Sequence, residues 1–137
     1  MNKISLPRRG LCGCVQAGSG RHLRQSVFLT DNLLYSEPWA WMQPTRHALG
    51  ALLLEQGHIA EAEDVYRADL ELDNTLLRGL PHRNNLPRLH RYVECLTLQG
   101  KHASAAAPQA QLNLAQPHAD VPINASCYYH LEKSCCD

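Results

Sequence analysis

Histidine and carboxylate side chains are the residues of this 137-residue chain that could carry out chemistry. His47, His82 and His90, with Glu37 or Glu94, offer the imidazole and carboxylate ligands that hold zinc or iron. No His-x-x-His or His-Glu-x-x-His spacing occurs, so the fold alone would have to bring such ligands together. A metal- or redox-dependent accessory component of an enzyme is therefore one hypothesis. Hydrogen-bonded histidines without a metal are the other, and the one we adopt: no cofactor and no metal site are predicted.

Six cysteines offer a second chemistry. They form two terminal pairs and two single residues: Cys12 with Cys14, Cys135 with Cys136, Cys95, and Cys127. Neither pair has the Cys-x-x-Cys spacing that is typical of a structural zinc site. The start of the chain has no continuous apolar segment of the kind that a secretory signal needs, so reduced thiols are expected.

The sequence contains no recognisable catalytic motif, and its bulk charge excludes other functions. The stretch GCVQAGSG lacks the lysine of a phosphate-binding loop, and no nucleophile turn surrounds Ser126. Thirteen basic residues balance thirteen acidic ones, so no overall field attracts nucleic acid or an anionic membrane. We predict a non-enzymatic, cytoplasmic protein. The acid-poor, arginine-containing start leaves mitochondrial import as an alternative.

The segment from residue 43 to residue 74 has the pattern of two short helices joined by a tight turn. The first helix follows Pro44 and ends before Gly57, a residue that readily closes a helix. The second begins near Ile59, with Glu63 and Arg67 expected on its exposed side. The apolar faces are formed by Leu49, Leu52, Leu53 and Leu54 on the first helix and by Ala62, Val65, Tyr66 and Leu70 on the second.

A second pair of helices is predicted around Gly100, which lies 43 residues after Gly57. Its helices cover LPRLHRYVECLTLQG and KHASAAAPQAQLNLAQ, and Pro108 is expected to kink or split the second one. The loop TLLRGLPHRNN separates the two pairs. Upstream, residues 1–20 are predicted to be disordered, and residues 21–42 to form a partial helix and a turn rich in tryptophan and proline. Downstream, residues 118–137 form a cap and tail in which Val121, Ile123 and Tyr128 could cover the open end.

The spacing in the first pair resembles the tetratricopeptide repeat (TPR). Leu49-Gly50, Ala62 and Tyr66 fall at places seven, eight, twenty and twenty-four of a 34-residue unit that begins at Gln43, and Gly57 falls at the turn. The resemblance implies an all-α fold of antiparallel helical hairpins stacked as a short superhelix. The repeats would span residues 43–74 and 86–117, with an inserted loop at 75–85. In the second repeat, Val93 replaces the glycine and Gln109 the aromatic residue.

A narrower resemblance covers residues 33–130. The runs EPWAWMQPTRHALGALLLEQG, HRNN, YVECL and ASCYY are similar to the C-terminal repeat region of larger bacterial and fungal TPR proteins. The chain departs from that region at Arg83, at Pro87-Arg88 and at Arg91. Two repeats are fewer than the three usually needed for stability. The resemblance thus leaves open a vestigial fragment of a larger protein, and implies docking on a larger partner or self-association.

The resemblance also places a concave groove along the first helix of each repeat. It would be lined by Pro44, His47, Ala51, Leu54, Glu55, Pro87, His90, Glu94, Thr97 and Leu98. A mixed apolar and polar surface of this kind suits a peptide or a helix from another protein. The predicted function is accordingly a protein-binding adaptor or scaffold, with His47 and His90 each donating a hydrogen bond to the partner.

Overall fold

A computed structural model describes residues 19–33, 44–76 and 85–119 of the chain. These residues form five α-helices and one short 3-10 helix, and no strand occurs among them. The helices are α1 (Ser19–Asp31), α2 (Thr45–Glu55), α3 (Ile59–Asp69), α4 (Leu86–Leu98) and α5 (His102–Ala115), and the 3-10 helix covers Gln116–His118. Over the described residues the prediction of an all-α fold is confirmed.

Glycine closes both α2 and α4. Gly57 and Gly100 take φ values of 81° and 72°, in the left-handed region that side chains with a Cβ atom rarely adopt. The same hydrogen bond spans both turns: the His58 N–H donates to the Leu53 carbonyl, and the Lys101 N–H to the Leu96 carbonyl, both at 2.9 Å. The turn that joins α2 to α3 is therefore repeated, 43 residues later, between α4 and α5.

Consecutive helices contact one another along the chain, from α1 through α5. One apolar core runs through α2, α3, α4 and α5, and the side chains of Tyr66 and Leu96 are almost wholly buried in it. Its buried members are Leu49, Leu53, Ala62, Tyr66, Leu70, Leu89, Tyr92, Cys95, Leu96, Ala105 and Leu112. Burying apolar area of this extent is the main favourable contribution to folding.

A buried ion pair joins the two helix pairs. Asp69 at the end of α3 pairs with Arg88 in the first turn of α4, and their side chains are 1% and 0% exposed. The side chain of Asn85 caps α4 by accepting a hydrogen bond from the Arg88 N–H at 3.2 Å. Burial lowers the pKa of the Arg88 guanidinium, and the nearby positive charge of Arg46 acts in the same direction.

Helix α1 packs on α2 through the half-buried Leu23 and Val27. The guanidinium of Arg46 binds both carboxylate oxygens of Asp31, which ties the end of α1 to the start of α2. Phe28 of the same helix is exposed. It follows Val27 directly, about 100° further round the helix, and so points away from α2.

Pro108 was expected to kink or split the last helix. It does not split it, since α5 continues through it to Ala115, and the kink stays a prediction. The expectation for Glu63 is wrong. Glu63 is not an exposed charge on the surface: it is 5% exposed, and its carboxylate accepts hydrogen bonds from Lys101 Nζ at 2.6 Å and Gln99 Nε2 at 2.7 Å. Both donors belong to the second glycine turn, which sequence periodicity does not place beside α3.

Candidate binding cleft

A cleft of about 330 Å³ lies between α4 and α5. It is lined by His90, Val93, Glu94, Thr97 and Leu98 from α4 and by Gln109, Leu112 and Gln116 from α5 and the residue that follows it. On each helix these residues recur every three or four positions, which places them on one face. Val93 and Leu112 are buried and form an apolar floor, whereas Thr97, Leu98 and Gln116 are exposed at the rim.

The cleft carries little net charge. Arg91 pairs with Glu94 on the same helix and neutralises its carboxylate. Burial lowers the pKa of His90 from its usual 6.5, Arg91 lowers it further, and Glu94 opposes the shift. The imidazole is therefore neutral at pH 7 and can donate one hydrogen bond. The arrangement suits an apolar group framed by a few neutral hydrogen-bonding side chains.

The residues predicted to line a groove divide between the two helix pairs. In the first, His47 and Ala51 are buried, Pro44 and Leu54 are half-buried, and Glu55 is exposed. His47 is 7% exposed, so it belongs to the interior and does not present an imidazole beside that of His90. In the second, four of the five predicted residues line the cleft: His90, Glu94, Thr97 and Leu98. Pro87, the fifth, is half-buried at the start of α4.

Sequence reasoning missed the half of the cleft that α5 contributes, together with Val93. The signal was present, because Gln109, Leu112 and Gln116 have the three- and four-residue spacing of a single helical face. These residues were missed because the resemblance to the TPR places the groove on the first helix of each repeat alone.

The described residues contain no cluster of side chains that supports the hypothesis of a metal site. No group of three or more His, Cys, Asp or Glu side chains that could hold a metal ion occurs in residues 19–33, 44–76 and 85–119. His82 and Glu37 lie outside these ranges, as do the two tryptophans, the terminal cysteine pairs and the predicted capping residues of the tail. Cys95 is buried and free, and burial raises its pKa to about 12, so it stays a thiol at neutral pH.

Comparison of the chain with protein-family models, curated proteins and solved structures finds no match. Among the described residues, none of the helices has the length and apolar character that crossing a bilayer requires.

Proposed function

We propose that this chain is a non-enzymatic protein-interaction module of the TPR type. In this proposal the helix pairs α2–α3 and α4–α5 are two stacked repeats, and the chain acts as an adaptor that binds a peptide or helix of another protein. The binding site is the cleft between α4 and α5, which holds four of the predicted groove residues: His90, Glu94, Thr97 and Leu98.

The two glycine turns support the repeat. Besides the bond across each turn, the N–H of each glycine donates three residues back, from Gly57 to Leu54 at 3.1 Å and from Gly100 to Thr97 at 3.0 Å. The helices that follow begin at Ile59 and His102, 43 residues apart. A shared register of this kind is what two copies of one unit, separated by an inserted loop, produce.

The composition of the cleft carries the functional part of the proposal. Leu98 is 50% exposed at the rim, above the buried floor of Val93 and Leu112. An apolar depression with a polar rim gains free energy when an apolar side chain of a partner fills it, at about 25 cal/mol per Å² of apolar area removed from water. Neutral donors such as His90 and Gln109 then set the orientation of the partner.

Site-specific cross-linking in cells tests this function. A photoreactive amino acid at position 98 should capture a defined set of proteins, whereas the same group at position 114 should not. Leu114 is the matched control, because it is also an exposed leucine (77%) of the second helix pair but does not line the cleft. Equal capture at both positions, or at neither, would rule out the cleft as a protein-binding site.

A further inference from the structure

The cleft repeats a face of the first helix pair. Each of its eight lining residues lies 43 positions after a residue of α2, of α3 or of the turn that follows α3. The corresponding residues are His47, Gly50, Ala51, Leu54, Glu55, Tyr66, Asp69 and Asp73. The two glycine turns share the same hydrogen bonds. Residues 43 positions apart therefore occupy equivalent places in the two helix pairs.

In the first helix pair the α3 side of this face is already covered by a helix. Helix α4 contacts α3 here, and its Arg88 reaches Asp69 of the face. Leu89 and Tyr92 of α4 join Tyr66 in the core. Five of the eight residues of the first face are buried, against two of the eight in the cleft. The cleft therefore resembles a surface on which a helix packs, but its rim residues are exposed.

We infer that the cleft binds an α-helix of a partner protein, seated as α4 is seated on the first helix pair. This inference rests on the proposed function and narrows its partner from a peptide or helix to a helix. The template for this contact is a stripe of four residues on α4: Arg88, Leu89, Tyr92 and Leu96. Arg88 pairs with Asp69, and the other three lie in the core. A partner helix would present a stripe with the same spacing.

The chemistry of the partner differs from that of α4 at one position. Leu112 occupies the place in the cleft that Asp69 occupies on the first face. An arginine at the place of Arg88 would have to be buried against leucine with no acid to pair it, which is strongly unfavourable. The partner helix therefore carries an apolar residue there, and its stripe is uncharged. Glu94 is paired with Arg91 and His90 is neutral, so the cleft offers no unpaired charge to a partner, in agreement with an uncharged stripe.

The probe for this inference is a fluorescent peptide of residues 85–98 that carries Arg88→Leu and Cys95→Ala. A hydrocarbon staple between positions 90 and 94 holds it helical, because an isolated helix of this length is marginal in water. We expect the full chain to bind this peptide at least tenfold more tightly than the same stapled peptide with Arg88 retained, as measured by fluorescence anisotropy. Leu98→Arg in the chain should abolish binding, and Leu114→Arg should leave it unchanged, with helicity checked for both variants.

Four results would overturn the inference. A proline-broken form of the peptide that binds as well as the stapled one would mean an extended ligand; cross-linking at position 98 would still support the protein-binding function. Displacement of the probe by a free peptide of residues 120–137, at lower concentration than the unlabelled probe, would make the tail of this chain the occupant. A dimer that Leu98→Arg dissociates would make it a second copy. Failure of both probe binding and cross-linking would remove the proposed function as well.

Discussion

Gly50 and Tyr66 approach so closely that a Cβ atom on Gly50 would lie 2.5 Å from Cζ of the tyrosine ring. The ring cannot easily retreat, because Tyr66 is 0% exposed at the centre of the core. Gly50→Val should therefore push α2 and α3 apart and destabilise the chain by about 1–3 kcal/mol or more, as overpacking does. Urea unfolding followed by circular dichroism measures the change.

The second helix pair supplies the control for that variant. The residues 43 positions later are Val93, which is larger than Gly50, and Gln109, which is smaller than Tyr66. Gly50→Val combined with Tyr66→Gln should be destabilised by less than the sum of the two single variants, because the double change relieves the clash. Simple additivity would mean that Gly50 and Tyr66 do not constrain each other.

Removing one partner of the Asp69–Arg88 ion pair should lower the stability of the chain strongly, and replacing both partners by apolar residues should lower it little. Asp69→Ala leaves the fully buried guanidinium of Arg88 without its carboxylate, and the loss should be about 3–5 kcal/mol. Changing both residues to leucine should restore most of the stability, since an apolar pair of similar volume needs no desolvation of charge. Leu112, which occupies the place of Asp69 in the second pair, shows that leucine fits such a position.

Thermal melts at pH 7 and low ionic strength compare these variants. A double variant that is no more stable than Asp69→Ala would show that Asp69 contributes through its other contacts rather than through Arg88.

Glu63 should make the stability of the chain depend on pH in the acid range. Burial raises the pKa of its carboxyl, but the hydrogen bonds and charges of Lys101, Gln99 and Arg67 outweigh it and lower the pKa below 4.5. Because the folded pKa is lower than the unfolded one, the stabilisation is complete above pH 4.5 and is lost as the pH falls through the folded value. The stability difference between the parent chain and Glu63→Gln should accordingly shrink between pH 6 and pH 3.

Glu61→Gln is the matched control for that titration. Glu61 lies on the same helix but is exposed, where its carboxylate pairs with Arg24 at 2.5 Å. Exposed pairs contribute little, so this variant should change stability by less than about 1 kcal/mol. A pH-independent effect of Glu63→Gln would show that folding does not lower the pKa of Glu63, and that its negative charge adds nothing to stability.

Local patterns in the sequence were enough to predict the helices, and contacts between helices were not. Gly57 and Gly100 mark the turns because only a left-handed residue closes a helix in this way, and that signal is contained in a few neighbouring residues. His47 is 7% exposed on a helix that contacts both α1 and α3, and no periodicity within α2 encodes those contacts. The same holds for Glu63, whose polar partners lie 36 and 38 residues away.

Half of the cleft could be predicted, but from the resemblance to the TPR and not from periodicity. That resemblance places the groove on the first helix of each repeat, so it gave four residues of α4 and none of Gln109, Leu112 and Gln116, which line the cleft because α5 is continuous. Proline within a helix removes one hydrogen bond and usually bends or breaks the helix. Here the alanine-rich turn before Pro108 keeps a high helix propensity and α5 continues through it.

The pKa of His90 should change when a helix binds in the cleft. Burial and Arg91 lower its pKa below 6.5, and Glu94 is the charged group that opposes them; the α5 side of the cleft contributes no charge. Folding therefore favours the neutral imidazole, and the stability it contributes above pH 6.5 is lost as the pH falls through the folded pKa. An apolar helix in the cleft would bury the ring further and lower the pKa again. Binding of the stapled peptide should then weaken several-fold from pH 7 to pH 5.5.

Proton NMR of the His90 ring, with and without the peptide, measures both pKa values in the full chain. His90→Gln should remove most of the pH dependence of binding. His102→Gln is the control, because His102 is exposed at the start of α5 and does not line the cleft. A pKa that rises when the peptide binds would mean that the ring becomes charged against an acid. That result would contradict an uncharged stripe, because only a favourable negative partner stabilises the imidazolium in a more buried site.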